Sequence, residues 1–214
     1  PLDNNSIPPD LDSDLTCDAL DDDIDGDGYG NLEDYFPLES SQWNDTDGDG
    51  YGDNLTGINP DIFPNDSSQW NDTDGDGFGD NYSGVDGDAF PYDANASKDT
   101  DGDGKPDQIN GNSTTGLLED MDDDNDGFND SIDPWPLDNC VGEDHDGDGL
   151  ADNVQMGCQT TISEDGDDDG DTKLDQDDFC PVGEINWLSG AVTDHDADGC
   201  RDDGEDIDDD NDGL

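Results

Sequence analysis

The chain has 214 residues, 65 of them Asp or Glu against 4 Lys or Arg, giving a formal net charge of −61 with 27% apolar residues. Soluble globular domains are roughly 45–50% apolar, so this composition excludes a fold held by hydrophobic burial and marks a chain that is disordered unaided. Nucleic acid is excluded as a partner, because binding phosphate needs Lys and Arg. The longest weakly apolar run, Ile185 to Val192, is far short of the ~18–20 residues of a membrane span.

The carboxylates divide into 58 Asp and 7 Glu, beside 28 Gly. Asp carries its carboxylate close to the backbone and favours turns, so this bias suits tight loops closing on a cation. Units of the form D-x-D-x-D begin at Asp10, Asp23, Asp45, Asp72, Asp99, Asp122, Asp144, Asp167, Asp194 and Asp208. A 27-residue period is explicit in the middle, where Gln42 to Asp66 returns as Gln69 to Asp93. The units fill residues 1–214 as one continuous array of about ten repeats. Apolar residues nowhere recur at helical spacing, and Gly or Pro interrupts nearly every short window. The expected fold is therefore an irregular, metal-organised repeat array, an elongated rod that is mostly loop, with few short strands and no substantial helix.

Carboxylates at loop positions 1, 3 and 5, Gly at 6, a carbonyl at 7 and oxygens at 9 and 12 form the oxygen-only cage that Ca2+ prefers. In chain order, the Asp10 unit has Leu15 at the glycine position and is left without assigned ligands. The next supplies Asp23, Asp25, Asp27, Asn31 and Asp34. Two long units follow, Asp45, Asp47, Asp49 and Asp53, then Asp72, Asp74, Asp76 and Asp80. Their position 12 is Thr56 or Ser83, which leaves the last ligand open, with Asp61 and Asp88 as candidates to return after the insertion and fill the role. Asp99, Asp101, Asp103 and Asp107 come next, with Asn110 at position 12. The Asp122 unit is complete, with Asp124, Asp126, Asp130 and Asp133. Asp144, Asp146, Asp148 and Asp152 precede Gln155. Asp167, Asp169, Asp171, Asp175 and Asp178 follow, with Thr172 in place of Gly. Asp194, Asp196, Asp198 and Asp202 form the next set, and Asp208, Asp210 and Asp212 open a loop that the chain cuts short. The chain accordingly reads as a segment of a longer one.

Magnesium fits this donor set less well, because it keeps its waters and demands an octahedron, and transition metals lack their softer ligands. His145 and His195 both occupy loop position 2, where a side chain is a spacer. Without a nucleophile–base pair or a phosphate loop, no enzyme is expected. Of five cysteines, Cys140 with Cys158 and Cys180 with Cys200 each bracket one loop, predicting two disulfides and an oxidising compartment; Cys17 is left over. Asn4, Asn44, Asn54, Asn65, Asn71, Asn81, Asn95, Asn112 and Asn129 all stand in N-x-[ST], predicting a heavily glycosylated exterior.

The segments DTDGDGYGDN, EDMDDDNDGFNDSIDPWP and DDDGDTKLDQDDFCP resemble thrombospondin type 3 repeats, with their D-x-D-x-D-G-x-x-D-x-x-D-N-C-P pattern, over essentially the whole chain. The resemblance implies an irregular chain wrapped around a line of Ca2+, about one to two ions per repeat, and disulfides between neighbouring repeats, in accord with the pairing above. This chain departs from the pattern in its long inserts, its aromatic–Pro endings at Phe36, Phe63, Phe90 and Trp135, and its dense sequons. The expected role is an extracellular or cell-surface structural protein, a calcium-rigidified spacer, stalk or filament segment that self-associates or continues in a longer fibre. Alternatives are an adhesive module contacting a cell-surface or matrix partner through exposed Trp43, Trp70 and Trp187, and loose calcium storage without an ordered fold.

Overall fold

A computed structural model describes residues 8–207. It is nearly all loop: one turn of 3-10 helix at Asp175–Asp177 and three isolated parallel bridges are the regular pieces among the described residues. The chain forms two compact units, Pro1–Glu119 and Asp120–Leu214. The described interior inverts the usual composition. Twelve aspartates are buried against six apolar residues, and Asp61, Asp93, Asp169, Asp171 and Asp194 are at most 1% exposed. Large apolar side chains such as Leu15, Leu32, Leu118 and Ile207 lie in solvent. Burial of apolar surface thus cannot be what organises either unit.

Backbone conformation repeats from loop to loop with a fixed register. Positions 4 and 6 both take positive φ, as in Gly48 (83°) and Gly50 (95°), because the chain must turn sharply enough to bring positions 1, 3 and 5 together. The Asp10 loop, without assigned ligands on sequence grounds, adopts the same path with Ser13 at 67° and Leu15 at 82°. Thr172 does likewise at 86° in the Asp167 loop.

A two-bond brace closes every described loop. The N–H at position 9 donates to the carbonyl just before position 1, as Asp53 does to Asn44 at 2.9 Å and Asp130 to Met121 at 3.0 Å. In return, the position 9 side chain accepts the N–H of position 2, as in Thr46 to Asp53, Asp123 to Asp130, His145 to Asp152 and His195 to Asp202. Asp18 and Leu11 give the Asp10 loop the same bond at 2.9 Å.

Within Pro1–Glu119 the join between loops is also periodic. The residue after the closing Asp donates its N–H to the residue two before the next loop: Tyr35 to Trp43, Ile62 to Trp70 and Ala89 to Ser97. The aromatic at position 7 then covers that joint, Tyr29 stacking on Trp43 at 5.3 Å and Tyr51 on Trp70 at 5.0 Å between ring centroids. Phe78 instead receives the Lys98 ammonium over its face at 5.0 Å. In the other unit Gly142 takes the equivalent place, where a Cβ would lie 2.3 Å from the Phe128 ring.

Apolar packing is confined to small patches. Cys140, Val141 and Ala151 form a cluster with Trp135, Val154, Cys158 and Ile162 around it. The disulfide Cys140–Cys158 lies at this cluster, and Cys180–Cys200 is likewise formed, with Cα separations of 5.6 and 5.2 Å. Both pairings agree with the spacing argument. Cys17 is a free, half-buried thiol.

Candidate metal centres

The local hydrogen bonds divide each loop carboxylate into a structural oxygen and a remaining one. One oxygen of position 3 accepts the N–H of position 5, and one oxygen of position 5 accepts the N–H of position 7, as in Asp49 to Asp47 and Tyr51 to Asp49. In the Asp45 loop the position 1 carboxylate uses both oxygens, receiving Gly48 and Gly50, whereas Asp10, Asp122 and Asp167 each keep one buried oxygen without a donor. These are Asx-type turns written one after another. They leave the second oxygen of positions 3 and 5 directed inward. Buried carboxylate oxygens without a hydrogen-bond partner occur at Asp25, Asp27, Asp47, Asp49, Asp74, Asp124 and Asp171.

Carboxylate oxygens, one from each residue, gather within 4.8 Å of one another at Asp23, Asp25 and Asp27, at Asp45, Asp47 and Asp49, at Asp72, Asp74 and Asp76, and at Asp99, Asp101 and Asp103. Asp10, Asp12 and Asp14 form a further group. The loop that sequence reasoning set aside is therefore assembled like the others, and Leu15 does not prevent it. Asp21 at position 12 and Asp18 at position 9 are the sequence signals of this loop, and they outweigh its missing glycine. The assigned residues Asp208, Asp210 and Asp212 lie outside the described residues.

The last carboxylate arrives by one rule in two short and two long loops, whereas in the Asp167 loop the Asp178 N–H goes to the Asp175 carbonyl at 3.3 Å. By that rule the N–H of the closing Asp donates to the carbonyl of position 8: Asp34 to Gly30 and Asp133 to Asn129 in short loops, Asp61 to Gly52 and Asp88 to Gly79 in long ones, at 2.8–3.0 Å. Asp165 reaches Ala151 in the same way at 2.7 Å, closing the Asp144 loop. The three parallel bridges, Gly52 with Pro60, Gly79 with Gly87 and Ala151 with Glu164, stand immediately before these returning residues. Asp34, Asp61, Asp88 and Asp178 each keep one buried oxygen without a donor. Thr56, Ser83, Asn110 and Gln155, the residues at position 12 by count, are exposed.

The excursions in the long loops are held by buried glutamines. Gln42, 1% exposed, donates to the carbonyls of Asn54 and Ile58 and accepts the N–H of Asn54. Gln69 does the same with Asn81 and Val85. Nothing in the sequence singled out these glutamines except their place in the 27-residue period.

Position 9 has a role beyond the one its acidity suggests. Both oxygens of Asp53 are engaged, receiving the Thr46 N–H and hydroxyl and the Asn44 amide. Burial pushes the Asp53 carboxyl up, but these hydrogen bonds outweigh it and hold the group below the usual carboxylate range; Asp80 is lowered in the same way by Thr73 and Asn71. Positions 3 and 12 behave oppositely. Burial first, and neighbouring carboxylates next, push Asp61, Asp88 and Asp124 up to about 6, despite one stabilising N–H each. Asp168 is raised to about 6 by burial and by Asp175, Asp152 and Asp165. Crowded carboxylates that repel one another and lack donors are what a cation would relieve.

The position 7 carbonyls of Tyr29, Tyr51, Phe78, Phe128 and Leu150 accept no hydrogen bond among the described residues, which leaves them available as neutral ligands. The donor set of each loop is thus carboxylate and carbonyl oxygen, suited to a hard divalent ion. His145 directs its ring to the Gly183 carbonyl at 2.8 Å and His195 to Asp202 at 3.2 Å. Comparison with models of protein families and with curated proteins returns no match.

Proposed function

We infer that the chain is a calcium-organised structural protein of the thrombospondin type 3 kind, extracellular, non-catalytic, and acting as a spacer, stalk or filament segment. The observation that carries this reading is the set of inward-facing carboxylate oxygens with no donor, best seen at Asp61, which is 1% exposed. A buried charge without a partner is costly, and at neutral pH a cation bound among these oxygens would offset that cost. The protein's own 4 Lys and Arg cannot supply it against 65 acids. One Ca2+ in each of ten loops would bring −61 to about −41, and two to about −21. Metal binding and folding are then one process.

Two disulfides suit an oxidising compartment, and no helix among the described residues is long and apolar enough to cross a membrane. The tryptophans favour a spacer over a recognition module, since Trp43 and Trp70 are half-buried in stacks and Trp187 is buried. Hydrogen exchange in calcium and in EGTA tests the reading. At pH 7 chelation should abolish amide protection throughout the loops, and a compact, protected chain in EGTA at that pH would sink the reading.

A further inference from the structure

The sequons are not equivalent in the fold. At Asn44 the side-chain nitrogen donates to the Thr46 hydroxyl at 3.1 Å and to Asp53, while that hydroxyl donates to Asp53 at 2.6 Å. Asn71, Thr73 and Asp80 repeat the arrangement. Here N-D-T is the brace of a loop in the letters of a glycosylation motif, and both amide hydrogens are in use. Asn54 and Asn81 donate from the same nitrogen to the Ser41 and Ser68 carbonyls at 2.8 Å, half-buried beside Gln42 and Gln69. Asn95 donates to the Asn112 carbonyl at 3.1 Å.

Three sequons differ. No hydrogen bond engages the side-chain nitrogen of Asn65, Asn112 or Asn129 among the described residues. Asn65 and Asn112 are exposed, and Asn129 is half-buried with its carboxamide oxygen, not its nitrogen, held by Ser131.

We propose that Asn65, Asn112 and Asn129 are the N-glycan acceptors of the folded protein, and that Asn44, Asn54, Asn71, Asn81 and Asn95 are structural asparagines that stay unmodified. Transfer from a polyprenyl-phosphate-linked oligosaccharide joins sugar C1 to the asparagine Nδ2. The C1–O bond to phosphate breaks, the lipid phosphate leaves with the electron pair, and Nδ2 loses one proton. A modified Asn44 or Asn71 keeps one N–H where the brace needs two. Asn65, Asn112 and Asn129 lose nothing. Two of the nine sequons are then a by-product of loop chemistry, since at Asn44 and Asn71 the Asn and the Thr two residues on both serve the position 9 carboxylate. Asn4 lies outside the described residues. The inference stands on the hydrogen bonds and does not depend on which ion fills the loops.

The test is site occupancy in protein secreted by a eukaryotic host and purified as the folded fraction in calcium. Enzymatic deglycosylation in heavy-oxygen water followed by peptide mass spectrometry should label residues 65, 112 and 129 and leave 44, 54, 71, 81 and 95 unlabelled. Occupancy of Asn44, Asn54, Asn71, Asn81 or Asn95 in folded protein, or absence of glycan from all three acceptors, overturns the proposal. Paired variants give a second reading. Asn44→Gln should raise hydrogen exchange at Thr46 by about tenfold or more, the loss of roughly 1.4 kcal/mol, whereas Asn65→Gln should change only the mass. Unchanged exchange in Asn44→Gln would refute the structural role.

Discussion

Leu15 and Thr172 show how strongly the loop imposes its geometry on single residues. Both hold a φ near that of the glycines at position 6, 82° and 86° against 99° in Gly28, although a side chain there costs about 1–2 kcal/mol. Leu15 is 94% exposed, so it gains no packing in return. Leu15→Gly should therefore stabilise the first loop, and Thr172→Gly the eighth. Relief of strain, less the roughly 0.5–1 kcal/mol of extra chain entropy that glycine brings, leaves a gain of about 0.5–1 kcal/mol. Denaturant titration in saturating calcium measures it, and a loss of stability in Leu15→Gly would show that the left-handed turn is not strained. Residue by residue, the gathering of carboxylates from positions 1, 3 and 5 was legible because Asp recurs there without exception. The brace at position 9 was not, because acidity alone does not distinguish a carboxylate that binds an ion from one that binds backbone N–H groups.

At the scale of the loop, the decisive element is the returning Asp. Counting alone reaches Thr56 at position 12 of the Asp45 loop, and the fold brings in the candidate beyond the insertion instead, sending Asp61 to the Gly52 carbonyl across an excursion fixed by Gln42. The short loops could be read by counting because their closing Asp lies one turn beyond position 8. The Asp144 loop could not, because Asp165 returns from beyond Gln155 and the Cys140–Cys158 bridge. Asp61→Asn keeps the shape and removes a charge from the buried group. Outer-sphere substitutions at metal sites cost about 10- to 100-fold in affinity, and loss of a direct carboxylate should cost at least that in the Asp45 loop. Thr56→Ala should leave calcium affinity within about twofold. Calcium titration followed by Trp70 fluorescence, which reports the Tyr51 stack, separates the two. Equal effects of both variants would return the last ligand to position 12.

For the whole molecule, charge makes stability depend on pH in opposite senses with and without calcium. Asp61, Asp88, Asp124, Asp168 and Asp171 are raised from 3.8 to about 6 in the ion-free fold, all chiefly by burial. Between those two values the folded chain holds protons that the unfolded chain has lost, so stability of the ion-free fold falls as pH rises and the full penalty is present above about 6. The lowered groups do not cancel this. Asp93, held far below the usual range by the Ser113 hydroxyl and the Thr114 and Thr115 backbone, supports the fold above the ordinary carboxylate value and loses that effect only at more acidic pH. Calcium bound as proposed would reverse the dependence, because its ligands must be deprotonated and protons compete for the same oxygens. Acidification from pH 7 to about 4 should therefore increase amide protection in EGTA and decrease it in limiting calcium, with apparent calcium affinity rising toward pH 6 and levelling above it. Hydrogen exchange at matched intrinsic rates measures both arms. If the EGTA sample lost protection on acidification, the carboxylate crowding inferred at these five aspartates would not be what keeps the empty chain from folding.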